Sequence, residues 1–142
     1  MKPLAPIGRI LFALIFIVAA FGHFKPETIA YAAASGVPLA NLAVPASGIL
    51  ALLAGLSIAT GYRARWGAVG LIAFLVPVTL TMHKFWTIAD PMMAQMQQVM
   101  FMKNVSLIGA ALYFVYAGAG AFSLDARLAA RRTPVKTASA TA

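Results

Sequence analysis

Two histidines, at positions 23 and 83, are the residues best suited to chemistry in this chain of 142 residues. Each lies at the end of a long apolar segment, and Lys103 lies near the start of another. Counted at about 1.5 Å per helical residue from the opposite ends of these segments, the three side chains reach roughly 24 to 29 Å, a common depth. Imidazoles exchange protons near neutral pH, and an ammonium group stabilises negative charge developing on an oxygen. His23, His83 and Lys103 are therefore the candidate catalytic residues.

Further polar and aromatic side chains lie near the same depth. Asn41 reaches it from a fourth apolar segment, about 31 Å from Tyr62. The candidate ligand-binding residues are Asn41, Trp86, Gln97, Gln98, Asn104, Lys25 and Lys84. Hydrogen-bonding groups and an aromatic ring beside an apolar interior suit a quinone-like headgroup with a lipidic tail. The sequence thus predicts an outward-facing polar pocket for a quinone or similar small molecule.

The same residues also have a purely structural interpretation. Lysines at helix ends extend their ammonium groups into lipid headgroups, and tryptophan is common at the membrane interface. A single histidine is often a packing residue. On this interpretation the chain is a noncatalytic membrane scaffold or a lipid-binding accessory subunit, which is the alternative function.

A third function, Cu(I) handling, rests on the methionines. Met92, Met93, Met96 and Met100 recur at helical spacing, and Met82 precedes His83. Thioethers with imidazole favour Cu(I), but methionines at this spacing are more typical of an apolar helix face. We therefore predict no metal site. The two histidines could also be axial haem ligands, although the sequence contains no haem attachment motif.

Composition excludes several classes of function. The chain has no cysteine, which removes disulfides, thiolate metal sites and thiol redox chemistry. No cofactor is evident beyond the quinone, so electrons would come from a redox partner protein. The formal charge of +8 comes from basic residues at segment ends rather than along one polar face, which argues against nucleic acid. The expected partners are membrane lipid, the small molecule and the redox partner, and a homo-oligomer is compatible with the sequence.

The elements that position these residues are four apolar stretches, 7–24, 39–62, 66–86 and 99–122, in a chain that is 62% hydrophobic and 10% charged. A helix crosses a bilayer core in about 20 residues, and lipid tolerates only helices or closed barrels. Alternating strands are absent. We predict an all-α fold, an integral membrane four-helix bundle over residues 1–126, followed by a basic, disordered cytoplasmic tail over 127–142. A cleaved signal peptide at the N-terminus is the weaker interpretation of the first stretch.

Basic residues are distributed unequally between the two ends of the segments. Lys25, Lys84 and Lys103 lie at one end with Glu27 and Asp90. The other end carries Lys2, Arg9, Arg63, Arg65, Arg127, Arg131, Arg132 and Lys136. Since positive charge is retained on the cytoplasmic side, both termini are predicted to be cytoplasmic.

Local signals add detail to the connections. A short helix is predicted over 27–34 with a stop at Ser35 and Gly36. Asp90 and Pro91 are typical of a helix start, from which a helix could continue to Phe122. Pro77 predicts a kink in the third segment. Glycines and alanines in the second and third segments permit close helix packing.

The chain resembles the DoxX family of small four-helix bacterial membrane proteins. The likeness covers about residues 4–124 and rests on Gly8-Arg9, Gly22-His23-Phe24, the run from Ser35 to Pro38, the 55–63 segment, the run from His83 to Trp86, and Lys103-Asn104. The resemblance implies a four-helix bundle in the cytoplasmic membrane. It also implies a loose association with thiosulfate:quinone oxidoreduction, with quinone or catechol stress and with redox-protective complexes.

Two positions matter within this resemblance. Many family members carry a lysine near the end of the first span, where this sequence has His23 with Lys25 just beyond. Arg9 matches a recurrent family position, and we expect it to pair with Asp125 or with a backbone carbonyl as a structural anchor.

Overall fold

The computed structural model describes residues 4–120 and 122–132, and all the secondary structure in this part of the chain is helical. The α-helices are α1 (Leu4–Ala20), α2 (Pro26–Ala34), α3 (Ala40–Thr60), α4 (Ala64–Met82), α5 (Pro91–Ala117) and α6 (Leu124–Arg132). Short 3₁₀ turns at Phe21–Phe24 and Phe85–Thr87 follow α1 and α4. Within the described residues, four helices are long and apolar enough to cross a membrane, namely α1, α3, α4 and α5. The all-α prediction with four spans is therefore confirmed.

The four long helices pack in the order α1, α3, α4, α5 around a core of small and aromatic residues. Close packing depends on glycine at two positions of this core. A Cβ atom at Gly67 of α4 would lie 2.5 Å from the Ser57 hydroxyl of α3, and one at Gly48 of α3 would lie 2.6 Å from the Cβ of His23. Backbones can approach this closely only where side chains are absent, as the small residues in these segments predicted.

Arg9 holds one end of the bundle together. Its side chain is only 2% exposed, and its guanidinium donates to the carbonyls of Ala119 and, at 3.0 Å, Phe122. Of the two partners expected from the sequence, the structure thus selects the carbonyl. Asp125 instead accepts from the backbone N–H of Arg63 at 2.9 Å. These contacts bring the start of α1, the α3–α4 turn and the connection from α5 to α6 together at one end of the bundle.

The structure differs from the predicted tail at residues 127–132, which are helical and belong to α6. The helix forms because its first turn is capped: Ser123 Oγ accepts from the backbone N–H of Ala126 at 3.1 Å. The backbone N–H of Asp125 also donates to the Gly61 carbonyl at 3.0 Å, which fixes the start of α6 against the α3–α4 turn. Residues 133–142 lie outside the described part of the chain.

At the opposite end, the local predictions are confirmed with shifted boundaries. The short helix is α2, and Gly36 follows it with a φ of 89°. Asp90 caps α5 by accepting from the Met93 backbone N–H at 2.8 Å. However, α4 ends at Met82 rather than at Trp86. At the Arg9 end, α5 stops at Ala117, because Gly118 takes a φ of 73° and a ψ of −162° that no helix can continue.

Candidate functional site

A cavity of about 430 Å³ lies between α2, α3, α4 and α5 at the end of the bundle away from Arg9. Most of its wall is apolar, formed by side chains such as Val44, Leu50, Phe74 and Val78. The polar side chains in the wall are His23, Thr28, Tyr31, Ser47, Thr81, His83 and Gln97. A hollow of this size with an apolar wall and a few polar groups is typical of small-molecule sites. We call it the histidine cavity.

His23 reaches the histidine cavity from the 3₁₀ turn that follows α1. Its Nδ1 lies 2.9 Å from Ser47 Oγ and 3.3 Å from the Val44 carbonyl, while its ring packs 5.6 Å from the Phe74 ring. The Ser47 hydroxyl donates its own hydrogen to the Val44 carbonyl at 2.7 Å. Both neighbours of Nδ1 are therefore acceptors, so we assign the proton of a neutral His23 to Nδ1. Nε2 then carries the free lone pair.

His83 directly follows the last residue of α4 and lines the same cavity. Its Nδ1 lies 2.7 Å from Gln97 Oε1 on α5, and Gln97 Nε2 makes a longer 3.5 Å contact with the Tyr31 hydroxyl on α2. Because an amide oxygen can only accept, Nδ1 of a neutral His83 also carries the proton. The two imidazoles thus share one arrangement, with Nδ1 held by a neighbouring group and Nε2 left for another partner.

This arrangement can bind and exchange protons with a ligand. A neutral imidazole accepts a hydrogen bond at Nε2, whereas a protonated one donates from it. None of the residues lining the cavity is a carboxylate, so among these residues proton exchange falls to the histidines and the hydroxyls. Pro77 also lines the cavity and has no N–H to give to the carbonyl of Ala73, a second lining residue.

Of the residues predicted from the sequence, the structure brings His23, His83 and Gln97 together in the cavity wall. Lys103 and Gln98 lie elsewhere, in a shallow groove on the exposed side of α5. Lys103 had been expected to share the hollow with the imidazoles; it does not line it, because its position on α5 turns it away from the other helices.

The remaining predicted residues do not line the histidine cavity. Lys84 Nζ donates to the Ser35 carbonyl at 3.2 Å and so joins the end of α4 to the end of α2. Trp86 is 57% exposed and packs edge-on against Phe85 and Phe101. Lys25 and Asn41 are exposed, whereas Asn104 is buried in the bundle.

Sequence reasoning missed Ser47 and Tyr31, which hold the two imidazole systems in place. Ser47 is easier to recognise from the sequence than Tyr31, because a hydroxyl within an apolar span needs a hydrogen-bond acceptor and can find one on a neighbouring helix. Tyr31 belongs to the predicted short helix. Its contribution depends on how that helix folds back over the bundle, which the sequence does not specify.

The methionines divide between the cavity and the surface. Met82 lines the histidine cavity, whereas Met92, Met96 and Met100 lie along an exposed groove of α5. Within residues 4–120 and 122–132, no group of three or more histidine, cysteine, aspartate or glutamate side chains could hold a metal ion.

Comparison with known proteins places these features in a family. The DoxX family model matches residues 4–84, which is more than half of the chain and includes both histidines and Arg9. The chain belongs to the DoxX family. No solved structure matches it.

Two relatives have been named in Escherichia coli strain K12. The chain is 32% identical to inner membrane protein YphA over 123 residues, which cover 85% of this chain and 87% of YphA. It is 30% identical to inner membrane protein YqjF over 131 residues, covering 88% and 95% of the two chains. With its four apolar helices, this DoxX protein is a multi-pass protein of the inner membrane.

Proposed function

We propose that this DoxX protein is a quinone-linked redox component of the inner membrane, and that the histidine cavity binds a quinone or a related small molecule. One observation carries the proposal. Two imidazoles line the same apolar cavity, and each has its Nδ1 engaged by a neighbouring group so that Nε2 remains for a ligand. Two fixed polar groups in an apolar wall match a ring that bears two oxygens.

The chemistry of the pair suits a quinone in both redox states. Reduction of a quinone to a hydroquinone consumes two electrons and two protons. A protonated imidazole donates to a carbonyl oxygen as negative charge develops there, and a neutral one accepts from a hydroquinone hydroxyl. His23 and His83 would therefore hold and exchange the protons. The chain has no cysteine, and we assign the supply of electrons to a partner redox protein.

The proposal is tested by titrating the detergent-purified protein with a short-tailed benzoquinone and measuring its affinity. We expect His23→Gln and His83→Gln each to weaken binding by about tenfold, the effect of losing one buried hydrogen bond. Lys103→Met is the control, because Lys103 lies outside the cavity, and it should bind as the wild type does. Equal affinities for the wild type and both histidine variants would end the proposal.

A second candidate is a noncatalytic scaffold or lipid-binding accessory subunit. The observation that favours it is the wide apolar surface of α5, where Met92 is 76% exposed and Tyr116 83% exposed. If this function is correct, His23→Gln and His83→Gln proteins should replace the wild-type protein in cells without loss of function. Small molecules that copurify with the protein separate the candidates: isoprenoid quinone supports the first, phospholipid alone the second, and stoichiometric copper would instead indicate Cu(I) handling through Met82.

A further inference from the structure

A second hollow lies at the opposite end of the bundle and is not part of the histidine cavity. It encloses about 460 Å³ between the start of α4 and the connection from α5 to α6. Its lining includes Arg63, Arg65, Trp66 and Asp125 together with residues 117–120. We call it the arginine cleft. Its charge and position allow an inference about its ligand that is independent of the proposed redox function.

The two arginines leave donor groups available in the arginine cleft. Arg65 Nη2 donates to the Tyr116 carbonyl at 3.2 Å, which fixes one arm of its guanidinium fork across the end of α5. Gly118 makes this possible, since even a Cβ there would lie 3.3 Å from Arg65 Nε. The Arg63 guanidinium lies 5.8 Å above the Tyr62 ring. An arginine fork with free N–H groups matches the oxygens of a phosphate.

Asp125 does not neutralise this pair of arginines by direct pairing. Its Oδ1 accepts from the Arg63 backbone N–H at 2.9 Å, and its role is to tie the start of α6 to the α3–α4 turn. Arg127 and Arg131 lie one turn apart on α6 and are exposed. The cleft and its surroundings therefore keep an excess of positive charge, which favours an anionic ligand.

The depth of the cleft indicates that this anion is part of a lipid. Trp66 is 72% exposed and Tyr62 45% exposed, as expected of aromatic side chains at headgroup level. Leu124 and Leu128 are exposed on one side of α6, so this helix fits the plane of the membrane surface. A hollow of about 290 Å³ between α1 and α5, lined by Leu4, Tyr113 and Phe114, shares residues 117–120 with the arginine cleft. It offers an apolar path for an acyl chain.

We propose that the arginine cleft binds the phosphodiester of an anionic phospholipid, with an acyl chain of that lipid lying between α1 and α5. Basic pockets beside membrane helices bind anionic headgroups, and each arginine near the surface strengthens this attraction about fivefold. A zwitterionic lipid carries the same phosphate but no net charge, so the cleft should distinguish between the two headgroups.

Trp66 provides a direct test, because the chain has only two tryptophans and Trp86 lies at the other end of the bundle. The Trp86→Phe protein is reconstituted into phosphatidylcholine vesicles that contain a minor fraction of brominated phosphatidylglycerol, and quenching of Trp66 fluorescence is measured. We expect brominated phosphatidylglycerol to be enriched about tenfold at Trp66 over brominated phosphatidylcholine. Arg63→Gln with Arg65→Gln in the same background should remove the enrichment. The Trp66→Phe protein, which reports Trp86 instead, should show none.

Three results would overturn the proposal. The first is equal quenching by the two brominated lipids, and the second is an enrichment that persists in the double variant. The third is displacement of the lipid by millimolar inorganic phosphate, which would make free phosphate the ligand. Arg65 also has a structural contact, so if the double variant is not recovered folded, Arg63→Gln alone decides, with an expected loss of about fivefold.

Discussion

Arg9 and the two histidines, at opposite ends of the bundle, bond to different kinds of partner. At the end that carries Arg9, side chains bond to the backbone: Arg9 to Ala119 and Phe122, and Asp125 to Arg63. At the other end, each imidazole bonds to a side chain of a neighbouring helix, His23 to Ser47 and His83 to Gln97. Bonds to the backbone fasten helix ends together, whereas side-chain pairs line a hollow and hold two rings in fixed orientations. At the Arg9 end these bonds stabilise the bundle, and at the other end they orient the two imidazoles that we propose as ligand-binding groups.

Of the single changes that test this contrast, removal of the Arg9 guanidinium should have the largest effect, and it should lower the stability of the bundle. Arg9→Met leaves the carbonyls of Ala119 and Phe122 without their charged donor in a buried position, at an expected cost of about 3 kcal/mol or more in unfolding free energy. Stability is measured as the midpoint of thermal unfolding in detergent. Arg127→Met is the matched control, because Arg127 is exposed. If both variants melt at the same temperature, the fastening role assigned to Arg9 is wrong.

The close approach of Gly48 to His23 provides the next test of this contrast. Gly48→Ala would place a methyl group 2.6 Å from the Cβ of His23 and 3.1 Å from the Ala20 carbonyl, so the turn that carries His23 must move. We expect a loss of about 1 to 3 kcal/mol in stability together with weaker quinone binding.

Gly109→Ala is the control for this variant, since a Cβ at Gly109 meets no atom within 4 Å. It should leave affinity unchanged and gain slightly in helix stability. If the Gly48→Ala protein binds the quinone as tightly as the Gly109→Ala protein does, His23 is not part of the binding site.

The sequence predicted the number of spans, their approximate limits and the shared depth of the two histidines. These features depend on hydropathy and on the fixed rise of a helix, both of which are local. It did not predict which way each side chain points around α5. Gln97 lines the cavity and Gln98 does not, yet they are adjacent in sequence and differ only by about 100° around the helix axis.

That direction is hidden because α5 has apolar residues on all its faces. In a soluble protein, the polar face of a helix shows which face is buried. In a membrane helix, the lipid-facing side is as apolar as the side that faces the core. Lys103 therefore lies in a groove apart from the cavity, while Asn104, its neighbour, is buried. The contacts of Ser47 and Tyr31 depend on helix packing, which a single sequence does not reveal.

Substitutions of the adjacent glutamines, Gln97 and Gln98, should differ in their effect on quinone binding by an intermediate amount. Gln97→Leu removes the acceptor of His83 Nδ1, frees the ring to rotate and should weaken quinone binding by about fivefold while the fold persists. Gln98→Leu makes the same chemical change one residue away, on the exposed groove, and should leave binding unchanged. Titration with the short-tailed benzoquinone measures both. Equal losses would mean that the change acts through α5 as a whole and not through His83.

The smallest expected effect concerns the covering of the histidine cavity by α2. Lys84 Nζ bonds to the Ser35 carbonyl and so joins α2, which contributes Thr28, Tyr31 and Ala32 to the wall, to the end of α4. Lys84→Met should leave the bundle folded but loosen this contact, because a single bond from a half-buried ammonium stabilises by about 1 kcal/mol or less.

Amide hydrogen exchange in detergent measures that loosening directly. The backbone N–H groups of Ser35, Gly36 and Val37 close the last turn of α2 onto the carbonyls of Tyr31, Ala32 and Ala33. In Lys84→Met their exchange should accelerate roughly three- to fivefold. The amides of Gly61 and Tyr62, which close the opposite end, should keep their wild-type rates, and so should all of these amides in Lys103→Met. Acceleration at both ends would mean that the two ends open as one cooperative unit, and the contrast between them would not hold.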